Sequence, residues 1–152
     1  MSNDTKPKRK IKMWVVLLII FGVLIVGAAG GFLADAPGRH EIQELVIQDV
    51  DFKKLRDGTY EGAYTGTKSH SRDTQVEVTI SGGGITAVKI LKGALDKTGK
   101  PAELTGGLSI EDLFGNVIEA KTLQVDTISG ATLTSKAHLK ALENALKQAQ
   151  GK

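Results

Sequence analysis

Hydroxyl side chains are concentrated in residues 126–135, DTISGATLTS, directly before a predicted C-terminal helix. The first backbone N–H groups of a helix have no acceptor within the helix and carry partial positive charge, so they suit a phosphate. Serine and threonine are also preferred N-caps, and ordinary capping of the helix explains the same composition. The residues alone therefore leave two interpretations open, an anion site and a capped helix end.

Other residue types point away from an enzyme active site. The chain has no cysteine, which excludes disulfides, thiolate zinc sites, cysteine-ligated iron–sulfur clusters and cysteine nucleophiles. His40, His70 and His138 are far apart and lack the spacing of metal ligands, so we expect them on the surface. The glycines at residues 82–84 fit a hairpin turn better than a phosphate-binding loop. We therefore predict no catalytic residues and no metal ligands.

Residues 126–132 resemble the flavinylation motif Asp-x-x-Ser/Thr-Gly-Ala-Thr/Ser of the FMN-binding domain family. The family includes the flavin-bearing subunits of Na⁺-translocating NADH:quinone reductase and of Rnf complexes. The resemblance implies that a flavin transferase takes FMN from FAD and joins it to Thr132 through a phosphoester. It also implies that the transferase recognises Asp126, and that the residues around the cofactor are Ser129, Gly130, Ala131, Leu133, Thr134 and Ser135.

The resemblance covers residues 50–149. Residues 57–62 (DGTYEG) are similar to the family's opening strand, residues 76–88 to its central hairpin, and residues 117–121 (VIEAK) and the final helix also fit. Larger members often carry Glu-Thr-Pro-Gly in mid-domain, where residues 96–99 here read DKTG, without the proline. This departure concerns contacts with the isoalloxazine ring, whereas the attachment motif is intact.

The N-terminal segment predicts membrane insertion. Residues 1–12 form a basic tail, and residues 13–33 contain no charge and would span about 31 Å as a helix, close to the thickness of a bilayer core. The basic tail predicts a cytoplasmic N-terminus and an extracytoplasmic C-terminal part. A cleaved signal peptide is the alternative, with ADA at residues 34–36 as its site, but the apolar run is longer than a signal peptide requires. We therefore expect a single-pass signal-anchor.

The remaining elements predict an α+β fold. We expect strands at residues 44–50, 59–65 and 122–125, a hairpin from strands 74–80 and 85–91, and a short helix that Ser109 and Asp112 cap. The C-terminal helix is expected from about Ser135 to Gln148, with an apolar stripe of Leu139, Leu142, Leu146 and Ala149. Strands that precede helices favour a small antiparallel sheet packed against helices. The domains are then a tail (1–12), a transmembrane helix (13–33), a linker with a first strand (34–49) and an FMN-binding domain (50–150).

Charge follows the same division. The net charge is +4 over residues 1–33 and −1 over residues 34–152, so the basic isoelectric point belongs to the tail and nucleic acid is not an expected partner. With the resemblance, the expected function is a membrane-anchored extracytoplasmic electron-transfer flavoprotein, rather than a stand-alone enzyme. Its expected partners are the flavin transferase and membrane or extracytoplasmic redox proteins. Non-covalent FMN binding and a cofactor-free envelope binding module are the alternatives.

Overall fold

The computed structural model describes residues 13–151. Within these residues a long helix α1 (Met13–Gln43) comes first and is followed by three strands and two further helices. The strands are β1 (Gly58–Tyr64), β2 (Thr74–Ser81) and β3 (Gly84–Lys92), and the helices are α2 (Ile110–Ala120) and α3 (Thr132–Gln150). One-turn 3₁₀ helices lie at Phe52–Lys54 and Thr105–Gly107. The basic tail predicted at residues 1–12 lies outside the described residues.

The chain divides into two compact units between Ala36 and Pro37. In the first unit, α1 exposes its apolar side chains and has a mean hydropathy of 2.7 over its most apolar 18 residues. It is therefore long and apolar enough to cross a membrane, a property that an N-terminal signal sequence shares.

The second unit is an antiparallel sheet covered by helices, which confirms the α+β prediction. The strand order is β1-β2-β3, and both neighbouring pairs are antiparallel. Val76, Val78 and Ile80 alternate along β2 as buried residues, because period-2 side chains reach one face of a sheet. Helix α3 packs against β1 and β2, and the four members of the predicted stripe are all buried. The β2–β3 turn has Gly82 and Gly83 at φ +64° and +75°, which suits a tight hairpin.

The linker predicted at the start of residues 34–49 is helical instead, because α1 continues through Pro37 to Gln43. Tertiary contacts hold this last part of the helix in place. Ile42 is buried, and Glu41 accepts hydrogen bonds from the backbone N–H groups of Thr67 and Lys68 at 2.9 Å each. A Cβ on Gly38 would lie 2.3 Å from Ser69 Cβ, so the glycine permits a close approach rather than a turn.

The strands predicted at residues 44–50 and 122–125 are also wrong, because side chains replace the expected strand partner. Lys136 and Lys140 of α3 donate to the carbonyl oxygens of Gln43, Leu45 and Val46, and Glu143 accepts from the Gln48 N–H. Asp49 in turn accepts from the Leu123 N–H at 2.9 Å and the Thr122 hydroxyl at 2.6 Å. Backbone polar groups need partners, but these need not come from a sheet.

The predicted start of α2 is confirmed, and a glycine ends α3. The Ser109 N–H donates to Asp112 Oδ2 at 2.7 Å, which confirms the capping box at the start of α2. Gly151 ends α3 with φ +62° and donates to the Gln148 carbonyl. The start of α3 differs: the helix begins at Thr132, three residues before the predicted Ser135. Consequently, Thr132 lies in the first turn of the helix.

Candidate functional site

The hydroxyl-rich segment forms a tight turn that leads directly into α3. The Ala131 N–H donates to the Ile128 carbonyl at 2.9 Å, and Gly130 has φ +76°, a conformation that favours glycine. Thr132 is the first residue of α3, and its side chain is exposed, as is that of Ser129. An enzyme or a ligand can therefore reach the Thr132 hydroxyl.

The interpretation of this segment as an ordinary capped helix end is wrong, because no hydroxyl side chain caps α3. The N-cap residue of α3 is Ala131, which has no side-chain acceptor. Ser135 is buried, and its hydroxyl accepts from the Ile128 N–H at 3.1 Å and donates to the Ala131 carbonyl at 3.0 Å. By helix geometry the N–H groups of the first residues of α3 lack acceptors within the helix.

A glycine-rich loop that the sequence pattern did not indicate lies against the motif. It is the 3₁₀ turn Thr105–Gly107, in which Gly106 and Gly107 both have positive φ. A Cβ on Gly130 would lie 2.8 Å from Thr105 Oγ1, so the Thr105 side chain packs closely against the Gly130 backbone at this point. The Thr-Gly-Gly sequence was the available signal, since paired glycines often mark positive-φ loops.

A cleft of about 390 Å³ begins on the same side of α3. Thr134, Ala137 and His138 of α3 form one wall, and Leu104 and residues 92–94 form another. The loop at residues 70–73 completes the lining with His70, Arg72 and the carboxylate of Asp73. This volume lies within the range of small-molecule sites, roughly 300–1,000 Å³.

His138 departs from the expectation that all three histidines are surface residues. His40 and His70 are exposed, but His138 is 2% exposed. Its Nδ1 lies 2.8 Å from the Thr134 carbonyl, and its Nε2 lies 3.3 Å from the Ala94 backbone nitrogen. Because a backbone N–H can only donate, Nε2 must be the unprotonated nitrogen and Nδ1 carries the hydrogen. Burial lowers the pKa of His138, only partly opposed by the hydrogen bond to Thr134, and this favours the neutral ring.

Asp126 lies on a different side of the motif. Its side chain is exposed, and with Thr127 it borders a second cleft that also contains Lys136 and Leu139. The cleft lined by Thr134 and His138 therefore adjoins the C-terminal, helical end of the motif, whereas Asp126 is exposed at the N-terminal end of the motif.

Residues 70–147 match the sequence profile of the FMN-binding domain. The chain belongs to the FMN-binding domain family. It is also 31% identical over 97 residues to an uncharacterized protein of Treponema pallidum (strain Nichols). That alignment covers 64% of this chain but 24% of the relative, so the chain spans about a quarter of the relative's length.

The residues present in this FMN-binding domain fit the cofactor. The first turn of α3 offers backbone N–H groups and no capping side chain, which suits a phosphate. The exposed Thr132 hydroxyl stands at the same helix end, and the cleft beside Thr134 and His138 has room for a ligand with apolar and polar parts. Among residues 13–151 no group of three or more His, Asp or Glu side chains is arranged to hold a metal.

Proposed function

We propose that this chain is a membrane-anchored extracytoplasmic flavoprotein that carries FMN covalently on Thr132 and relays electrons between membrane redox partners. The observation that carries the proposal is the position of Thr132: its side chain is exposed in the first turn of a helix whose N-terminus lacks a side-chain cap. Membership of the FMN-binding domain family supports FMN as the cofactor. FMN supplies redox chemistry to such a domain, and the protein supplies attachment and surroundings.

In the proposed attachment the Thr132 Oγ attacks the phosphorus of the FMN half of FAD. The Oγ–P bond forms as the P–O bond to the AMP half breaks, so AMP is the leaving group. A threonine hydroxyl needs a base to become a nucleophile. We assign that base, which accepts the hydroxyl proton, to the flavin transferase. The phosphodiester that remains keeps a negative charge beside the α3 N-terminus, an interaction worth about 0.3–1 kcal/mol when exposed.

Gly130 and Asp126 have separate roles in this proposal. Gly130 leaves the approach to Thr132 free of a side chain, and Ser129, Ala131, Leu133 and Thr134 form the surroundings of the phosphate. Asp126 is exposed at the far end of the motif, where the transferase can contact it. Ser135 acts through the turn, because its buried hydroxyl holds residues 128 and 131 together.

The proposal is tested by co-expression with a flavin transferase and in-gel flavin fluorescence after denaturation. We expect a fluorescent band for the wild type, for Thr132→Ser and for Thr134→Ala, and no band for Thr132→Ala. Fluorescence that survives in Thr132→Ala would refute Thr132 as the acceptor.

A second candidate is non-covalent FMN binding, which the uncapped N–H groups of α3 favour because they can hold a phosphate without a bond. In that case the native protein is yellow, but the flavin passes through a filter after denaturation. A protein that carries no flavin before or after denaturation, with the transferase present, would instead support a cofactor-free envelope module.

The proposed topology follows from α1 and the basic tail. One apolar helix preceded by a basic segment favours a cytoplasmic N-terminus. Protease added to intact spheroplasts should then remove the flavin-bearing domain from the membrane, and sealed inside-out vesicles should protect it. Protection in spheroplasts would reverse the proposed orientation.

A further inference from the structure

We propose that His138 is a positioning residue of the flavin site, which fixes residues 94–108 against the N-terminal half of α3. This inference rests on the proposed function. His138 is buried, is outside the flavinylation motif, and has no part in the attachment chemistry.

His138 contacts the chain directly after the end of β3. Once β3 ends at Lys92, the backbone turns at Gly93 with φ +126°, and the next N–H, that of Ala94, donates to His138 Nε2. A Cβ on Gly93 would lie 2.7 Å from His138 Nε2 and 2.5 Å from Thr74 Oγ1. The backbone at Gly93 therefore packs directly against the His138 imidazole, and a residue larger than glycine would push the two apart.

The segment of residues 94–108 contacts α3 and the turn before it at two places. Ala94 is bound by His138 at one end, and Thr105 packs against Gly130 at the other. Between them the segment is closed by its own hydrogen bonds, from the Ala102 N–H to the Ala94 carbonyl at 3.0 Å and from the Leu104 N–H to the Leu108 carbonyl at 2.7 Å. A displacement at Ala94 is thus passed to Leu104 and Thr105, which border the cleft and the motif.

Two hydrogen bonds of the His138 ring suit this residue to positioning the 94–108 segment. Nδ1–H donates to the Thr134 carbonyl, one turn earlier in α3, and this fixes the ring so that Nε2 is directed at Ala94. The ring also lies 6.4 Å from the Phe114 ring of α2, centroid to centroid. A partly buried backbone N–H that loses its acceptor costs free energy, so the Ala94 end of the segment is held as long as Nε2 can accept.

The test compares two amide variants of the full chain in detergent, since glutamine places its carbonyl oxygen near the Nε2 position and asparagine reaches only the Nδ1 position. We expect the Ala94 amide proton to exchange roughly three- to tenfold faster in His138→Asn than in His138→Gln or the wild type. After flavinylation, the visible circular dichroism of the attached flavin should match the wild type in His138→Gln and differ in His138→Asn.

Equal Ala94 exchange in the two variants would overturn the contact. Altered exchange with identical flavin dichroism would overturn the positioning role and leave His138 as a structural residue. Absence of covalent flavin from the wild type would instead contradict the proposed function. Because the Ala94 exchange is measured without flavin, it tests the His138 contact separately and so distinguishes a failure of this inference from a failure of the proposed function.

Discussion

Replacement of Gly130 with alanine should weaken the fold and the flavin site together. Gly130 has φ +76°, where an L-residue costs about 1–2 kcal/mol more than glycine. The new Cβ would lie 2.8 Å from Thr105 Oγ1 and 3.1 Å from its Cγ2, so the exposed Thr105 side chain must leave its rotamer, at a cost of about 0.5–1.5 kcal/mol more. We therefore expect a loss of about 1.5–3.5 kcal/mol, with a fall of about 4 °C in melting temperature for each kcal/mol in a domain of this size.

Gly99→Ala is the matched control, because Gly99 has φ +79° and a Cβ added there would meet no heavy atom within 4 Å. Gly99→Ala therefore measures only the free-energy cost of placing an L-residue at positive φ, about 1–2 kcal/mol. Thermal unfolding by circular dichroism measures both variants, and Thr105→Ala in the Gly130→Ala background should recover part of the difference. In-gel flavin fluorescence should fall in Gly130→Ala and remain in Gly99→Ala. Equal melting temperatures for the two single variants, with no recovery from Thr105→Ala, would refute the account of this contact.

Two further predictions concern the support of α3. Gly62→Ala should lower the free energy of unfolding by about 3 kcal/mol or more, because the Cβ would lie 2.1 Å from the Ala141 carbonyl oxygen. Gly115→Ala serves as a contrast on α2: the Cβ would lie in open space, and alanine should raise the free energy of unfolding by about 0.5–1 kcal/mol through its higher helix propensity. Urea unfolding gives both values, and a neutral Gly62→Ala would contradict the close packing of β1 on α3. Burial raises the pKa of Glu143, but hydrogen bonds from Lys147, Lys140 and the Gln48 N–H outweigh it and leave the pKa below its usual value. Glu143→Gln should therefore cost about 1.5–3 kcal/mol at pH 7. This difference should shrink as the pH falls below about 4.3, the unfolded pKa, because a depressed carboxyl pKa contributes fully above the unfolded value and loses its contribution as the pH falls to the folded value.

The sheet and the helices were predictable because their signals are local. Alternation of Val76, Val78 and Ile80, the glycines of the hairpin turn and the stripe on α3 depend on residues close in sequence. The two wrong strands had suitable composition, but their partners were side chains of α3 and Asp49, up to 95 residues away. The extension of α1 past Pro37 likewise depends on Ile42 and Glu41 contacts with the body of the domain.

The candidate site divides in the same way. The motif containing Thr132 was found from sequence alone because its residues are contiguous. His138 and Thr105 were missed as parts of the site, since only the folded chain brings Ala94 to His138 and Thr105 to Gly130. A histidine at helical spacing from Ala141, Leu142 and Ala145, on an otherwise apolar helix face, was the available signal that His138 is buried.

The central claim, covalent FMN on Thr132, is tested most directly by intact-mass measurement of the full-length protein from the membranes of its native host. We predict a single species whose mass exceeds that of the unmodified chain by the mass of FMN minus one water. In Thr132→Ala this added mass should be absent. A wild-type mass without the increment, from cells in which the flavin transferase is active, would contradict it.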